Sequence, residues 1–488
     1  MPYDSLREFI SKLEEEGELV HVKAPVSTDL EIAEILRRVM TNEGPAVIFD
    51  RINGYSMPIA ANLFGSERRM RLALGVEDFT ELGTRVTNIL NTPLPSGVLD
   101  RIRSLPRLAE LASYAPKLEK KGPVMEMVET SDPKLSTLPA LKSWPLDGGR
   151  FITFGMVVTK NPETGTRNLG VYRMQLYDEK TAGMHWQIHK RGAQHFRMLA
   201  EQGKRIEVAV VIGADPGTIY SSIAPVPEGL DKFLYAGMVR GEGVSLVKCS
   251  TVDLEVPSNA EIVLEGYVDP SDIRTEGPFG DHTGYYTEPA PYPTFHLTGI
   301  MRRSDPIYLA TIVGKPTLED AYIGKVVERA FLPLIKFLQP EIVDVNFPSA
   351  GWFQGMAIVS IKKRYPGQAK KVMMGLWGTG QLALTKILVV VDSDINVHDI
   401  DDVIWAVTTR ADPARDIMIL EGTPTDTLDP ASPLADFGSK LGIDATIKWT
   451  TEGHNRRSME LIVPDPETRK MVTDRWSEYG LPPYPDPM

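Results

Sequence analysis

"FITFGMVVTK", Phe151 to Lys160, and "RNLGVYRMQLYD", Arg167 to Asp178, decide the fold. Both are rich in β-branched and aromatic residues and are set apart by Asn, Pro, Gly and Asp, the composition of strands between turns. The same signature recurs in "IEVAVVIG", "SLVKCSTVDLEVP", "AEIVLEGYV" and "PTFHLTGIM", as far as Arg303. From about Lys117 onward these segments predict a mostly antiparallel sheet or barrel, interrupted by one helix at Ala193 to Gln202.

On the N-terminal side the pattern is different. Ser5 and Glu8 form a capping box, and Leu6, Phe9, Ile10 and Leu13 share one helical face, predicting a helix to about Gly17. A second is predicted from Asp29 to Met40 with Leu30, Ala33 and Leu36 inward, then a strand at "PAVIFDRI". This α/β unit ends in a Pro-rich stretch from Pro93 to Pro116. Beyond Pro316 the segments "AIVSI", "QAKKVMMGLWG", "KILVVVD", "DDVIWAVTTR" and "DIMIL" predict βαβαβ and a parallel sheet. The expected architecture is a multidomain α/β and α+β chain divided at 1–116, 117–310 and 311–488. Its polar tail from Asp465 either frays or docks on a neighbouring subunit.

Composition narrows the function. Of 488 residues, 42% are hydrophobic and 24% charged, ordinary values for a globular chain of several domains. A net charge of −12 argues against nonspecific binding to nucleic acid or an anionic membrane, which needs clustered Lys and Arg. Small molecules are the expected partners. The single cysteine, Cys249, excludes an intramolecular disulfide or a Cys-built metal site, and burial in its strand should keep the thiol inert. The segment "MPYDSLREFISKLEEEGELV" lacks the order of a signal peptide, and no apolar run approaches the ~20 residues of a membrane span. A cytoplasmic protein is expected.

Standard catalytic signatures are missing: there is no P-loop, HExxH, nucleophile elbow or Rossmann fingerprint, and "GLWGTG" reads as a helix end. Polar residues concentrate in the central segment instead. In "TEGPFGDHTGYY", Thr275 to Tyr286, Gly and Pro hold Glu276 and Asp281 on a tight turn, so the carboxylates either share one cavity as an acid/base pair or face water. Asn168 and Arg173, five residues apart, fall on opposite faces of a regular strand, one toward a cofactor and the other toward a substrate. An arginine paired with a surface acid is the alternative. "MHWQIHKRGAQHF" carries three of the eight histidines, with Lys190 and Arg191 before an expected helix start, an arrangement suited to phosphate. Histidine and asparagine nearby can hold a metal bridging that phosphate.

These segments, with "NLGVYR", "ADPGTIYSSIAPVP", "LVKC", "LEVP", "EIVLEGYV", "KKVMMGLW" and "DDVIWAVTTR" followed by "DPARD", resemble the UbiD family of reversible decarboxylases, in order over nearly the whole chain. The resemblance implies an N-terminal α/β domain, a central split β-barrel carrying prenylated FMN, and a C-terminal α/β oligomerisation domain. It implies a carboxy-lyase whose cofactor is the electron sink while the protein positions and protonates. On the matching positions, Arg173 orients the substrate carboxylate, Glu276 pairs with Arg173, and Asp281 supplies the proton once carbon dioxide has left. In such a triad one acid is expected to hold a proton near neutrality while the other stays ionised.

The resemblance also implies cofactor contacts at Val171, Tyr172, Arg173, His185, Trp186, Gln187, Lys190, Arg191 and Lys386. Its metal ligands fall on Asn168 and His189, with His195 the alternative histidine; manganese is the implied metal and K+ a further candidate. The family's glutamate ligand aligns with Lys232 in "PVPEGLDKFLYAG", so either Asp231 or Glu228 substitutes or the ammonium replaces one cation. The implied substrate is an aromatic, heteroaromatic or α,β-unsaturated acid, the cofactor coming from a flavin prenyltransferase and the working form being a homo-oligomer, a dimer or a hexamer. His296 in "PTFHLTGI" either reaches the pocket or faces solvent. Two other readings compete. A flavin redox protein on a split barrel has no need of a protonating carboxylate facing an arginine. A noncatalytic carboxylase subunit has no need of an intact set of acids around Arg173.

Overall fold

The computed structural model describes residues 3–90, 109–315, 318–454 and 461–484. The Pro-rich stretch from Pro93 lies outside the described residues through position 108, as does the end of the tail, 485–488. The first helix, Leu6–Glu15, starts at Ser5, whose hydroxyl accepts the Glu8 N–H, and buries Leu6, Phe9, Ile10 and Leu13. The second, Glu31–Thr41, buries Ala33 and Leu36, but Leu30 precedes it at φ 65° and is turned out to solvent. The N-terminal sheet comprises Leu19–Val22, Ala46–Phe49 and Ile59–Ala61, and takes its fourth strand, Tyr308–Leu309, from the end of the central segment.

The central segment forms a curled nine-stranded sheet in which every pairing is antiparallel. Its spine is the hairpin of Ile262–Glu276 with Ala290–Arg302, bent by two register shifts. "RNLGVYRMQLYD" is two strands rather than one. Arg167–Val171 pairs with Met156–Lys160 at one end of the sheet, and Met174–Leu176 pairs with Thr181–Met184 near the other. Only Tyr172 and Arg173 lie between them, so the sheet must curl to bring its ends together, and Arg173 sits at the closure.

The helix Arg191–Ala200 matches expectation, but Pro216–Ile223 and Lys232–Arg240 are two helices that the sequence pattern did not reveal. Pro216–Ile223 is buried on nearly every side, which erases the amphipathic period.

The C-terminal sheet runs Ile342–Asn346, Met356–Ile361, Ile387–Asp392, Phe437–Ala445, Ile417–Pro424. The predicted βαβαβ is correct for its first two strands, which are parallel around the helix Gln368–Trp377. The strand containing "DIMIL" is instead an antiparallel edge, because Phe437–Ala445 inserts parallel to "KILVVVD". That strand carries Gly438, Lys440 and Gly442, poor strand formers, and its buried Lys440 ammonium donates to the carbonyls of Ala383 and Pro424 at 2.6 and 2.8 Å. The helix Glu319–Leu338 ties the molecule together: Ile323, Val326 and Ala330 belong to the large core of the first two segments, Leu332 and Ile335 to a face of the C-terminal sheet. The tail helix Pro466–Asp474 buries no residue. Among the described residues no helix is long and apolar enough to cross a membrane.

Candidate active site

Glu276 ends the long strand of the central hairpin, and Asp281 follows the short strand Phe279–Gly280. Both converge on Arg173. Its Nε donates to Glu276 Oε1 at 2.8 Å, Nη2 to Glu276 Oε2 at 3.2 Å and Thr287 Oγ1 at 3.1 Å, and Nη1 to Asp281 Oδ2 at 2.5 Å. The guanidinium lies 4.5 Å from the Phe279 ring centre, and all three charged residues are buried. A surface turn with solvated acids is thereby excluded.

The turn is held from behind. Asp147 accepts the Gly280 N–H at 2.9 Å on one oxygen and the N–H groups of Ser143 and Trp144 at 3.0 and 2.8 Å on the other. Gln175 Oε1 accepts the Gly277 N–H at 2.7 Å. A Cβ at Gly280 would lie 2.2 Å from the Trp144 ring, so only glycine fits there. Sequence reasoning missed Asp147 and Gln175, because they lie far from the acids along the chain and carry no motif. Asp147→Ala leaves three N–H groups without an acceptor, and is expected to cost about 3 kcal/mol of stability and to lower kcat about tenfold by loosening Asp281. A denaturant melt and steady-state rates would check both.

Charge in the triad departs from expectation. Burial pushes Glu276 up, but the His185 hydrogen bond and Arg173 outweigh it and hold the carboxyl at about 2. Burial likewise raises Asp281, and His282 with Arg173 overrides it and holds this acid well below the ordinary carboxylate range. Both acids are therefore ionised in this geometry, against the expectation that one holds a proton. The group whose proton affinity rises is the neighbouring imidazole: His282 Nδ1 lies 3.0 Å from Asp281 Oδ1, and although burial lowers its pKa, Asp281 reverses the shift and raises it. His185 Nδ1 lies 3.1 Å from Glu276 Oε2, and burial with the Arg173 charge keeps that imidazole neutral.

Two cavities meet at this point. The smaller, about 210 Å³, is lined by Arg173, Asp281, His282, His185, Gln187 and Phe279, with Gln354 and Leu428 contributed by the C-terminal segment. The larger, about 570 Å³, is lined by Asn168, His189, Lys190, Arg191, Glu228 and Lys232. Val171, Tyr172 and Lys190 border both. Asn168 thus lines one compartment and Arg173 the other, although the single regular strand expected to carry both is broken between Val171 and Met174.

Residues 10–86, 117–316 and 321–445 match, in turn, the N-terminal, Rift-related and C-terminal domains of the 3-octaprenyl-4-hydroxybenzoate carboxy-lyase, UbiD. The chain belongs to the UbiD family. An uncharacterised protein of Archaeoglobus fulgidus is 54% identical over 98% of this chain and 99% of its own length. Among solved structures, vanillic acid decarboxylase of Sedimentibacter hydroxybenzoicus in its closed form is 30% identical, with a TM-score of 0.85 over 98% of each chain. The UbiD-class enzyme HmfF of Pelotomaculum thermopropionicum, in complex with FMN, is 28% identical, with a TM-score of 0.78 over 96% of this chain and 99% of that one. An evolved dimeric form of HmfF is in complex with prenylated FMN, at 27% identity and a TM-score of 0.76.

The remaining UbiD positions divide. Trp186 packs behind the cavity wall, 5.3 Å from the Phe196 ring. Lys386 does not line either cavity but pairs with Asp429 at 2.9 Å. His296 is half-buried, stacks on Tyr267 at 5.0 Å with its Nε2 3.0 Å from Asp272, and lines neither cavity.

The UbiD metal set does not assemble. Asp231 caps the helix Lys232–Arg240 and binds Arg167 at 2.8 Å, which occupies its oxygens. His189 lies 3.6 Å from Asp436. His195 is the better partner for Asn168: its Nδ1 bonds Thr159 Oγ1 at 3.0 Å, and Thr159 is the cross-strand neighbour of Asn168. Burial pushes His195 down to about 4, leaving it neutral. No group of three His, Cys, Asp or Glu side chains among the described residues is placed to hold a metal ion.

Proposed function

We propose that this chain removes carbon dioxide from an aromatic, heteroaromatic or α,β-unsaturated carboxylic acid, using prenylated FMN held in the larger cavity. The observation that carries the reading is Arg173, buried on the wall of the smaller cavity and clamped between two carboxylates. HmfF bound to FMN and to prenylated FMN supports the cofactor, and the vanillic acid decarboxylase supports an aromatic acid. Val171, Tyr172, Lys190 and Arg191 line that cavity, which supports them as the residues that hold the flavin. When bound, prenylated FMN supplies a sink for the electron pair that the departing carbon dioxide leaves behind.

The protein's own residues move the proton. A substrate carboxylate beside Asp281 raises the proton affinity of that acid by like-charge repulsion. The imidazole in reach of it is His282, whose Nδ1 lies 3.0 Å from Asp281 Oδ1 and supplies the proton. Once protonated, Asp281 no longer needs Arg173 Nη1, which then holds the substrate carboxylate. Glu276, fully buried, stays ionised on Nε and keeps the guanidinium aimed. After carbon dioxide leaves, Asp281 delivers its proton to the substrate carbon, and His282 regains one from solvent.

The exposed tail residues Ile462, Val463 and Leu481 support a homo-oligomer as the working form. The test is production with a flavin prenyltransferase, followed by measurement of carbon dioxide released from a panel of unsaturated and aromatic acids. Turnover by the loaded protein on at least one acid is expected. Redox cycling of ordinary FMN with no turnover on any acid would sink the reading.

A further inference from the structure

The larger cavity is lined by three cationic side chains, Lys190, Arg191 and Lys232, none of which has an ion-pair partner among the described residues. Lys232 opens the helix Lys232–Arg240, is buried, and donates to the Ser222 carbonyl at 2.9 Å, leaving two N–H groups. Arg191 donates Nη2 to the Val226 carbonyl at 2.7 Å, while its buried Nη1 has no acceptor. Asn168, 2% exposed on the same wall, also has an unpartnered Nδ2. The one carboxylate on the lining, Glu228, is exposed and accepts from Gln194 at 3.2 Å. Buried donors of one sign, opening on a space at the N-terminus of the helix Arg191–Ala200, lack an anion.

The charge balance indicates how that anion is held. A carboxylate carrying a divalent ion presents a net charge of about +1 to a phosphate, and a lysine ammonium alone presents the same. With Asp231 committed to Arg167, position 232 sets the sign of the site. We propose that the Lys232 ammonium replaces a metal ion, so that this chain holds the phosphate monoester of its flavin through Lys232, Arg191 and Asn168 and needs no divalent cation to do so. The inference rests on the flavin reading of the cavity.

The test titrates purified, flavin-free protein with FMN and with riboflavin, which lacks the phosphate, following flavin fluorescence with chelator or with added Mn2+. Wild type should prefer FMN by about tenfold or more, and chelator or Mn2+ should move that affinity by less than about twofold. Lys232→Met should lose about tenfold in FMN affinity under both conditions, with riboflavin affinity unchanged as evidence of an intact fold. Lys232→Glu should bind FMN weakly with chelator and recover on adding Mn2+, the metal dependence having been installed. An FMN affinity of wild type that falls about tenfold in chelator, or an unaltered Lys232→Met, overturns the proposal. Failure of wild type to bind either flavin overturns it together with the flavin reading, and is distinguishable because metal then has no effect to measure.

Discussion

Asp281→Asn is expected to lower kcat by about a thousandfold, the scale of a lost general acid, while the content of bound flavin stays that of the wild type. Asparagine has nearly the shape of aspartate, and its carbonyl can still accept from Arg173 Nη1. Glu276 and Thr287 continue to satisfy Nε and Nη2, so the guanidinium keeps its place and the fold is retained. What the amide cannot do is accept the proton that His282 holds 3.0 Å away and pass it to the substrate carbon. The defect should therefore appear after binding, as a fall in kcat with KM little changed. Single-turnover decarboxylation with bound substrate isolates that step. A variant within about tenfold of wild type would assign the proton to another group and remove Asp281 from the mechanism.

Why the acids were legible and their charge state was not is a matter of what each depends on. "EGPFGDH" places two carboxylates on one turn through local backbone chemistry, and that is written within a few residues. Their ionisation is set by Arg173, His185 and His282 together, and by how deeply the group is buried, which are properties of the packed sheet. The same division holds in the fold. Strands such as "KILVVVD" declare themselves by composition, being buried on both faces of a sheet. Phe437–Ala445 does not, since Lys440 is acceptable there only because carbonyls from Ala383 and Pro424 meet its ammonium. Asn168 and Arg173 line separate compartments through the break at Tyr172, where the sheet closes, and not through the alternation of one regular strand that their spacing suggests. His195 shows the limit most plainly: only its bond to Thr159 places it beside Asn168, and that bond joins a helix to a strand.

Arg173→Ala is expected to abolish turnover and to cost about 3–5 kcal/mol of stability, because it leaves two buried carboxylates without their shared cation. The loss should depend on pH, and its sign follows from the acids. Glu276, held at about 2, and Asp281, held lower still, both have folded-state values below those of the unfolded chain, near 4. Such groups contribute stability that is fully present above pH ~4 and is lost as pH falls through the folded values. Wild type should thus lose stability below pH ~4. In the variant, burial still raises both acids, the largest influence on each, and only the histidines oppose it. Their folded values move up toward or beyond those of the unfolded chain, so acidification costs the variant less. The gap in melting temperature between the two proteins should be widest near neutrality and narrow as pH drops from ~4 toward ~2. Arg173→Lys should fall between them, since one ammonium cannot reproduce the fork that reaches Glu276 and Asp281 together. A gap that stays constant from neutral to acid pH would mean that Arg173 stabilises the fold through packing on Phe279 rather than by pairing the acids, and the proton transfer built on that pairing would lose its basis.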